Sequence, residues 1–485
     1  MPQPPARSLL FLFHLFSCAS SEIVPKGTAM RCPNCNVIVF NFSSLHRDLL
    51  SQYDGSSPLL RIDAGPPVIF DNHFSTSNWP YQALASQHTG QDVEEHEVYN
   101  NWYHNDIHWK RFNLKTDGID PKTPVLLELA KGNGMKTIFW GGRPHPSFYD
   151  GAAGFHRGAA VVADRCFNEQ SDVPELSREL GSERFFAFVN ISRQHFPHFI
   201  LPGDWKNDSY PIPEDSFLPK TAEAFWVENA GGWRRINEVL ERDPARLPKS
   251  LWEKKDRQRS VLWYLEAARV LDGDRGRENL LAHYRRALAY SEEMINAVIA
   301  DLRRKDLLDR TLIVVTADTG DNLMTRYRDD EGQLWHDAIT YLNPTPESYS
   351  VPLVFYFPAR TGGARFTALT NHTDLIPTFR DVLGWDSAGH ARGASVFSAD
   401  VTRRMWLHSF SFRPDLGPSL VLHDARGTLI LRPEARTKYY ERATKRLLIP
   451  TANDAASAHL RNAAEAYLPL LEASELRELQ RRVNR

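Results

Sequence analysis

The sequence predicts an α/β protein: a mostly parallel sheet with helices on both faces, followed by a small C-terminal α+β domain. Three observations carry that expectation. Continuous apolar runs of strand length recur up to residue 357, as strands buried on both faces do. Helical segments alternate with them, the order of a sheet built from crossovers. Past about Arg404 the runs give way to shorter strand signals and a charged tail.

The first run is residues 37–42 (VIVFNF), and similar runs follow at 137–140, Phe185–Ile191, 312–315 and 353–357. Between the first two, residues 124–131 read as a helix, with Gly132 and Gly134 as stop signals. The strongest helical pattern spans 281–304, where Leu281, Tyr284, Leu288, Ile295, Val298 and Leu302 recur at three- and four-residue spacing. Residues 202–276 are rich in Trp, Pro and charge without a strand signal, and read as a helical insertion. Short strands at 420–423 and 428–432 then precede a charged helix reaching Arg485. The expected division is a leader at 1–29, an α/β domain at 30–403 containing the insertion, and a small domain at 404–485.

Composition narrows the function classes. Fifty-eight Lys and Arg stand against 60 Asp and Glu, a formal charge of -2, so no one-signed field draws in nucleic acid or a membrane surface. Of four cysteines, Cys32 and Cys35 form a CPNC pair while Cys18 and Cys166 stand alone. A zinc site would need a second pair; the CPNC pair is either a local disulfide or two thiols. Residues 9–16 are apolar behind Arg7 and end in small residues. They are too short to span a bilayer and resemble an export signal, which places the protein in the periplasm or outside the cell. Residues 15–18 loosely resemble a lipoprotein cleavage site, with an anchor on Cys18. If translation starts at Met30, the protein is cytoplasmic instead. Asn190 and Asn207 fit the glycosylation pattern.

Ligands of an open parallel sheet bind at the carboxyl ends of its strands. There the sequence places Ser43 to Asp48, Arg193 to His198, and Thr316 to Gly320. These stretches also carry a family likeness. Residues 36–48 (NVIVFNFSSLHRD) resemble the sulfatase pattern NVIVIxxDSLRAD, and residues 70–90 (FDNHFSTSNWPYQALASQHTG) resemble FDNAYSTSPWTLPSRASLLTG. Residues 309–321 resemble DNTLVVVTSDHGE, residues 351–358 resemble VPLIIYxP, and residues 372–384 resemble HVDLxPTLLDLLG. The protein is thus similar to the sulfatases of the alkaline-phosphatase-like superfamily over roughly 36–385, which implies that superfamily's fold.

The resemblance implies a centre in which carboxylates hold a divalent cation and a Ser, Thr or Cys-derived formylglycine attacks sulfur or phosphorus. Here the metal Asp after the first strand falls on Ser43, the nucleophile on Pro80 and a later His on Thr319, while Asp318 keeps the family residue. Proline cannot attack, and loss of a nucleophile costs about six decades in rate. His195 and His198 match an HxPH block whose first His faces the substrate's anion in relatives; two His at a strand end equally cap and pack. His336 falls in a loop where relatives place another anion or metal group. His372 matches a metal ligand of two-metal relatives, with a structural hydrogen bond as the competing reading. Asp318 either sits in the cleft or caps the turn at Gly320, and Asp374 reads as structural.

Three functions follow. The first is a sulfatase-like protein without ester hydrolysis, its cleft at Ser43, His195, His198, Thr319 and His336 binding an anionic small molecule, a sulfated or phosphorylated glycan, or a partner. The second is an active sulfuric or phosphoric ester hydrolase or transferase with a rearranged centre, and only this reading calls for a cofactor, a calcium, zinc or manganese ion. The third is a non-catalytic scaffold subunit.

Overall fold

Seven parallel strands and one antiparallel strand build the main sheet of the computed structural model. The structure describes residues 30–98, 118–141, 154–181, 183–195, 274–321, 323, 345–358, 362–386, 390–404, 406–413, 417–425, 427–431, 438–441 and 446–448. In chain order the strands are β1 (Asn36–Phe42), β2 (Val68–Phe74), β3 (Lys136–Trp140), β4 (Val161–Ala163), β5 (Phe185–Ile191), β6 (Thr311–Ala317), β7 (Leu353–Tyr356) and β8 (Ala364–Asn371). They lie side by side as β4-β3-β5-β1-β6-β7-β2-β8, with β7 running against its neighbours. Every residue of β1, β5 and β6 is buried, because both faces of these central strands are covered. That is the physical reason their sequences are unbroken apolar runs.

The helices are α1 (Pro80–Thr89), α2 (Val93–His96), α3 (Leu126–Gly132), α4 (Asp172–Glu179), α5 (Asp274–Arg304), α6 (Pro346–Tyr349) and α7 (Leu375–Leu383). Leu84 of α1, Leu126 of α3 and Ile376 of α7 share one core with Val37, Val39, Phe186, Phe188, Leu312 and Val314. On the opposite face, Leu176 of α4 and Tyr284, Leu288 and Ile295 of α5 pack with Ile38, Phe40, Ala187 and Ile313. Alternate residues of each strand therefore feed two separate cores. Helix α3 includes Gly132, and the left-handed turn that follows is carried by Gly134, at φ 73°.

A second, antiparallel sheet has the order β13-β12-β11-β10-β9. Its strands are β9 (Trp406–Arg413), β10 (Gly417–Asp424), β11 (Gly427–Leu431), β12 (Lys438–Glu441) and β13 (Arg446–Leu448). Val421 and Ile430 pack on Phe74, Tyr349 and Leu369 of the main body. Most of the expected insertion lies outside the described residues, as do the leader and the C-terminal helix; residues 274–276 open α5. Cys32 and Cys35 form a disulfide. No described helix is long and apolar enough to cross a membrane.

The small sheet is also held by charge. His408 on β9 lies 2.8 Å from Glu94 Oε1 and 3.9 Å from Asp92. Burial pushes the His408 pKa down, but the Glu94 hydrogen bond and the fields of Asp92, Glu94 and Glu95 outweigh it and lift the value to about 9. A raised histidine pKa stabilises fully below the ordinary value near 6.5, and that contribution fades as pH rises through about 9. His408→Gln is expected to cost about 1 kcal/mol at pH 6. Urea midpoints at pH 6 and pH 10 check this: the wild-type protein should lose more stability between the two than the variant does.

Candidate functional site

Strands β5, β1 and β6 are parallel neighbours, with Phe42 in register with Ile191 on one side and Ala317 on the other. Their carboxyl ends therefore set Ser43, Ser192 and Asp318 in one row. The ladder continues past the strands, since Ser43 N–H donates to the Ile191 carbonyl at 2.8 Å and Asp318 N–H to that of Phe42 at 2.9 Å.

Asp318 organises this edge. Its Oδ1 accepts from Ser44 N–H at 3.1 Å, Thr319 N–H at 2.5 Å and the Thr319 hydroxyl at 3.2 Å. Ser44 stands at φ 62°, a left-handed conformation that costs a serine about 1 kcal/mol, and the Asp318 bond helps hold it there. Behind the turn, the buried Tyr284 hydroxyl donates to the Ser44 carbonyl at 3.0 Å and accepts from His46 N–H at 2.6 Å. Burial and the field of Asp321 push that phenol well above its usual pKa, so it stays protonated and keeps donating. Gln194 Nε2 donates to the Ser43 carbonyl.

The loop into α1 is equally tied down. The Ser75 hydroxyl lies 2.6 Å from the Asp318 carbonyl and 2.5 Å from that of Ser77. Ser77 Oγ donates to Gln82 Oε1 at 2.7 Å and accepts from Trp79 N–H at 3.0 Å. Pro80 is the first residue of α1 and is buried; its fixed φ and missing N–H suit that position. The nearby serine hydroxyls are thus engaged in shaping the turn.

The other expected residues fall out as follows. His195 is half-buried, its N–H on the Ser192 carbonyl at 2.9 Å. His198 and His336 lie outside the described residues. His372 is fully buried, Nε2 facing the Ala317 carbonyl at 2.9 Å, and burial drops its pKa to about 3. The neutral ring therefore donates Nε2–H to backbone beneath Asp318. Asp374 is fully buried on Arg404. Sequence reasoning did not bring Cys166 to this edge, where its thiol bonds Ser192 within the field of Asp318. Burial pushes that thiol far above its usual pKa, so it is no ready nucleophile. Its signal was only a lone cysteine, and nothing in the sequence pairs it with β5.

The cation that the family resemblance implies wants several anionic oxygens. Ser43 and Thr319 offer hydroxyls, and Oδ1 of Asp318 already receives three hydrogen bonds. Among the described residues no three His, Cys, Asp or Glu side chains converge as a metal would require. This donor set does not fit the ion.

A model of the sulfatase family matches residues 36–385. The chain belongs to the sulfatase family. Among this sulfatase-family chain's relatives, arylsulfatase K of Bos taurus is 21% identical over 344 residues, covering 66% of the chain and 58% of the bovine protein. The chain thus spans less than two thirds of that relative's length. A 2-O GAG sulfatase structure matches with a TM-score of 0.63 at 16% identity, over 91% of this chain and 93% of the other. A protein solved in complex with its substrate D-glucosamine-2-N,6-O-disulfate matches with a TM-score of 0.59 at 16% identity, over 93% and 98%. These likenesses bear out the alkaline-phosphatase-like fold expected from the sequence.

Proposed function

We propose that this sulfatase-family protein binds an anionic ligand at the carboxyl edge of β1, β5 and β6 without hydrolysing it. The observation that carries the proposal is Pro80 at the nucleophile's place, seated as the first residue of a buried helix. Ester hydrolysis in this family's manner needs a nucleophile and a cation-held oxyanion; Pro80 has no attacking group at the nucleophile's place, and Ser43 and Thr319 stand where the family pattern has a metal-binding Asp and a His. The ligand class is a sulfated glycan, supported by the disulfated glucosamine that a structural neighbour carries. Export is supported by the Cys32–Cys35 disulfide, since such bonds persist in oxidising compartments. Family membership itself favours a second reading, sulfuric ester hydrolysis by a rearranged centre.

The test is elemental analysis of protein purified without chelator, run beside assays on aryl sulfate and aryl phosphate esters. The expected result is no stoichiometric metal, no turnover, and binding of D-glucosamine-2-N,6-O-disulfate over unsulfated glucosamine. Near-stoichiometric calcium, zinc or manganese, with turnover that Asp318→Ala abolishes, overturns the proposal. Pro80→Ser restores a hydroxyl without restoring the carboxylates, so its turnover on both esters is expected to stay at background.

A further inference from the structure

Beneath the cleft, the core between α1 and the sheet is unexpectedly polar. Asn41 is in register with Asn190 on β5 and Thr316 on β6, so the three side chains share one face. Alternation from Val39, Phe188 and Val314 fixes that face as the one covered by α1. From α1, Gln87 reaches toward β6, its Nε2 on the Ala317 carbonyl at 2.9 Å. The next residue, His88, leans toward β5, its ring centroid 4.5 Å from that of Phe188 and 6.0 Å from that of Phe139. Strand β1, which carries Asn41, lies between β5 and β6 in the sheet. Where the sulfatase pattern reads Leu-Leu before Thr-Gly, this chain reads Gln87-His88.

All five residues are 0% exposed. Asn41 Nδ2 donates to Asn190 Oδ1 at 2.8 Å. Six further polar atoms are buried with no hydrogen-bond partner among the described residues: Asn41 Oδ1, Asn190 Nδ2, Thr316 Oγ1, Gln87 Oε1 and both ring nitrogens of His88. Swapping both asparagine amide assignments leaves one oxygen and one nitrogen unmet all the same. Six dry polar atoms would cost a sum comparable to the whole stability of a folded domain.

We propose that this layer is a hydration site, in which ordered water molecules bridge Asn41, Asn190, Thr316, Gln87 and His88 between α1 and the sheet. The donor inventory selects the ligand. Two acceptor oxygens, one amide donor, a hydroxyl that does either, and an imidazole with one donor and one acceptor require a neutral molecule that both gives and takes hydrogen bonds. Burial drops the His88 pKa to about 3, so the ring brings no charge for an anion, and no carboxylate among these five residues answers a cation. A buried water makes about three hydrogen bonds, so six atoms accommodate about two waters. The site is independent of whether the cleft above it hydrolyses esters.

A crystal structure at a resolution that shows waters, with an anomalous map to identify metals, tests this in the wild-type protein. Water density bridging at least two of the six atoms is expected. Dry density, or an anomalous peak there, overturns the proposal. Water-¹⁷O relaxation dispersion supplies a second reading in solution. Gln87→Leu/His88→Leu is expected to remove the signal of about two long-lived waters, and an unchanged signal in a folded variant overturns it.

Discussion

Asp374→Asn is expected to lower the stability of the protein by about 3 kcal/mol, the low end of what breaking a buried ion pair costs. The carboxylate is fully buried, with Arg404 Nη1 at 2.5 Å from Oδ2 and Nη2 at 2.7 Å from Oδ1. It also accepts from Asn371 N–H at 2.9 Å and Ala394 N–H at 2.8 Å. Four donors therefore converge on two oxygens. Asparagine turns one of those oxygens into a donor facing donors, and leaves the Arg404 charge without its partner. The effect spreads because these contacts join the start of α7, the chain at Ala394 and Arg404, two residues before β9. Urea denaturation followed by circular dichroism measures the loss. Arg404→Met leaves the fully buried carboxylate with its two backbone donors but no cation, so a loss of similar size is expected; no loss in either variant would mean that the pair contributes nothing.

The central strands were legible because burial on both faces writes itself as an unbroken apolar run, as at β1, β5 and β6. Strand β2 was not read as a strand, since Asp71, Asn72 and His73 interrupt it with polar side chains that the fold answers individually. Arg365 pairs with Asp71 at 2.5 Å, Asn72 donates to the Thr367 carbonyl at 2.6 Å, and His73 meets the Thr370 hydroxyl at 3.0 Å. Those partners lie far along the chain, and no local pattern foretells them. Strand β8 is only partly buried and carries Arg365, Thr367 and Thr370, so it lacks the apolar signature. The candidate site follows the same logic. Ser43 and Asp318 could be placed at carboxyl strand ends from the strand signals and the family likeness, whereas the adjacency of those strands, the hold of Tyr284 on Ser44 and the approach of Cys166 depend on tertiary structure. Gln87 and His88 stand where the family pattern has a leucine pair, a departure given meaning only by Asn41, Asn190 and Thr316 aligned on the facing strands.

Gly320→Ala is the substitution expected to disturb the candidate site most without touching a polar side chain. A Cβ at this position would stand 1.7 Å from the Glu347 carbonyl oxygen and 2.9 Å from that of Ser350. Both obstacles are backbone, so no side chain can rotate away. Gly320 itself donates N–H to the Ser348 carbonyl at 2.8 Å, which holds the segment bearing α6 close against the turn. An added methyl must part the two segments, and the displaced stretch begins two residues from Asp318. Its three bonds to Ser44 and Thr319 depend on that turn, so Ser44 would lose part of what keeps it left-handed. The expected cost is about 3 kcal/mol or more, the upper part of the range for overpacking and raised here because the obstacles are backbone atoms. Thermal unfolding checks this beside Gly55→Ala, where nothing lies within 4 Å of the added carbon and little change is expected. If the variant folds, its affinity for D-glucosamine-2-N,6-O-disulfate should fall relative to Gly55→Ala. Unchanged stability with weakened binding would locate the effect in the cleft alone. Unchanged values of both would mean that the approach of α6 to this turn is looser than the structure has it, and that the Asp318 turn does not depend on it.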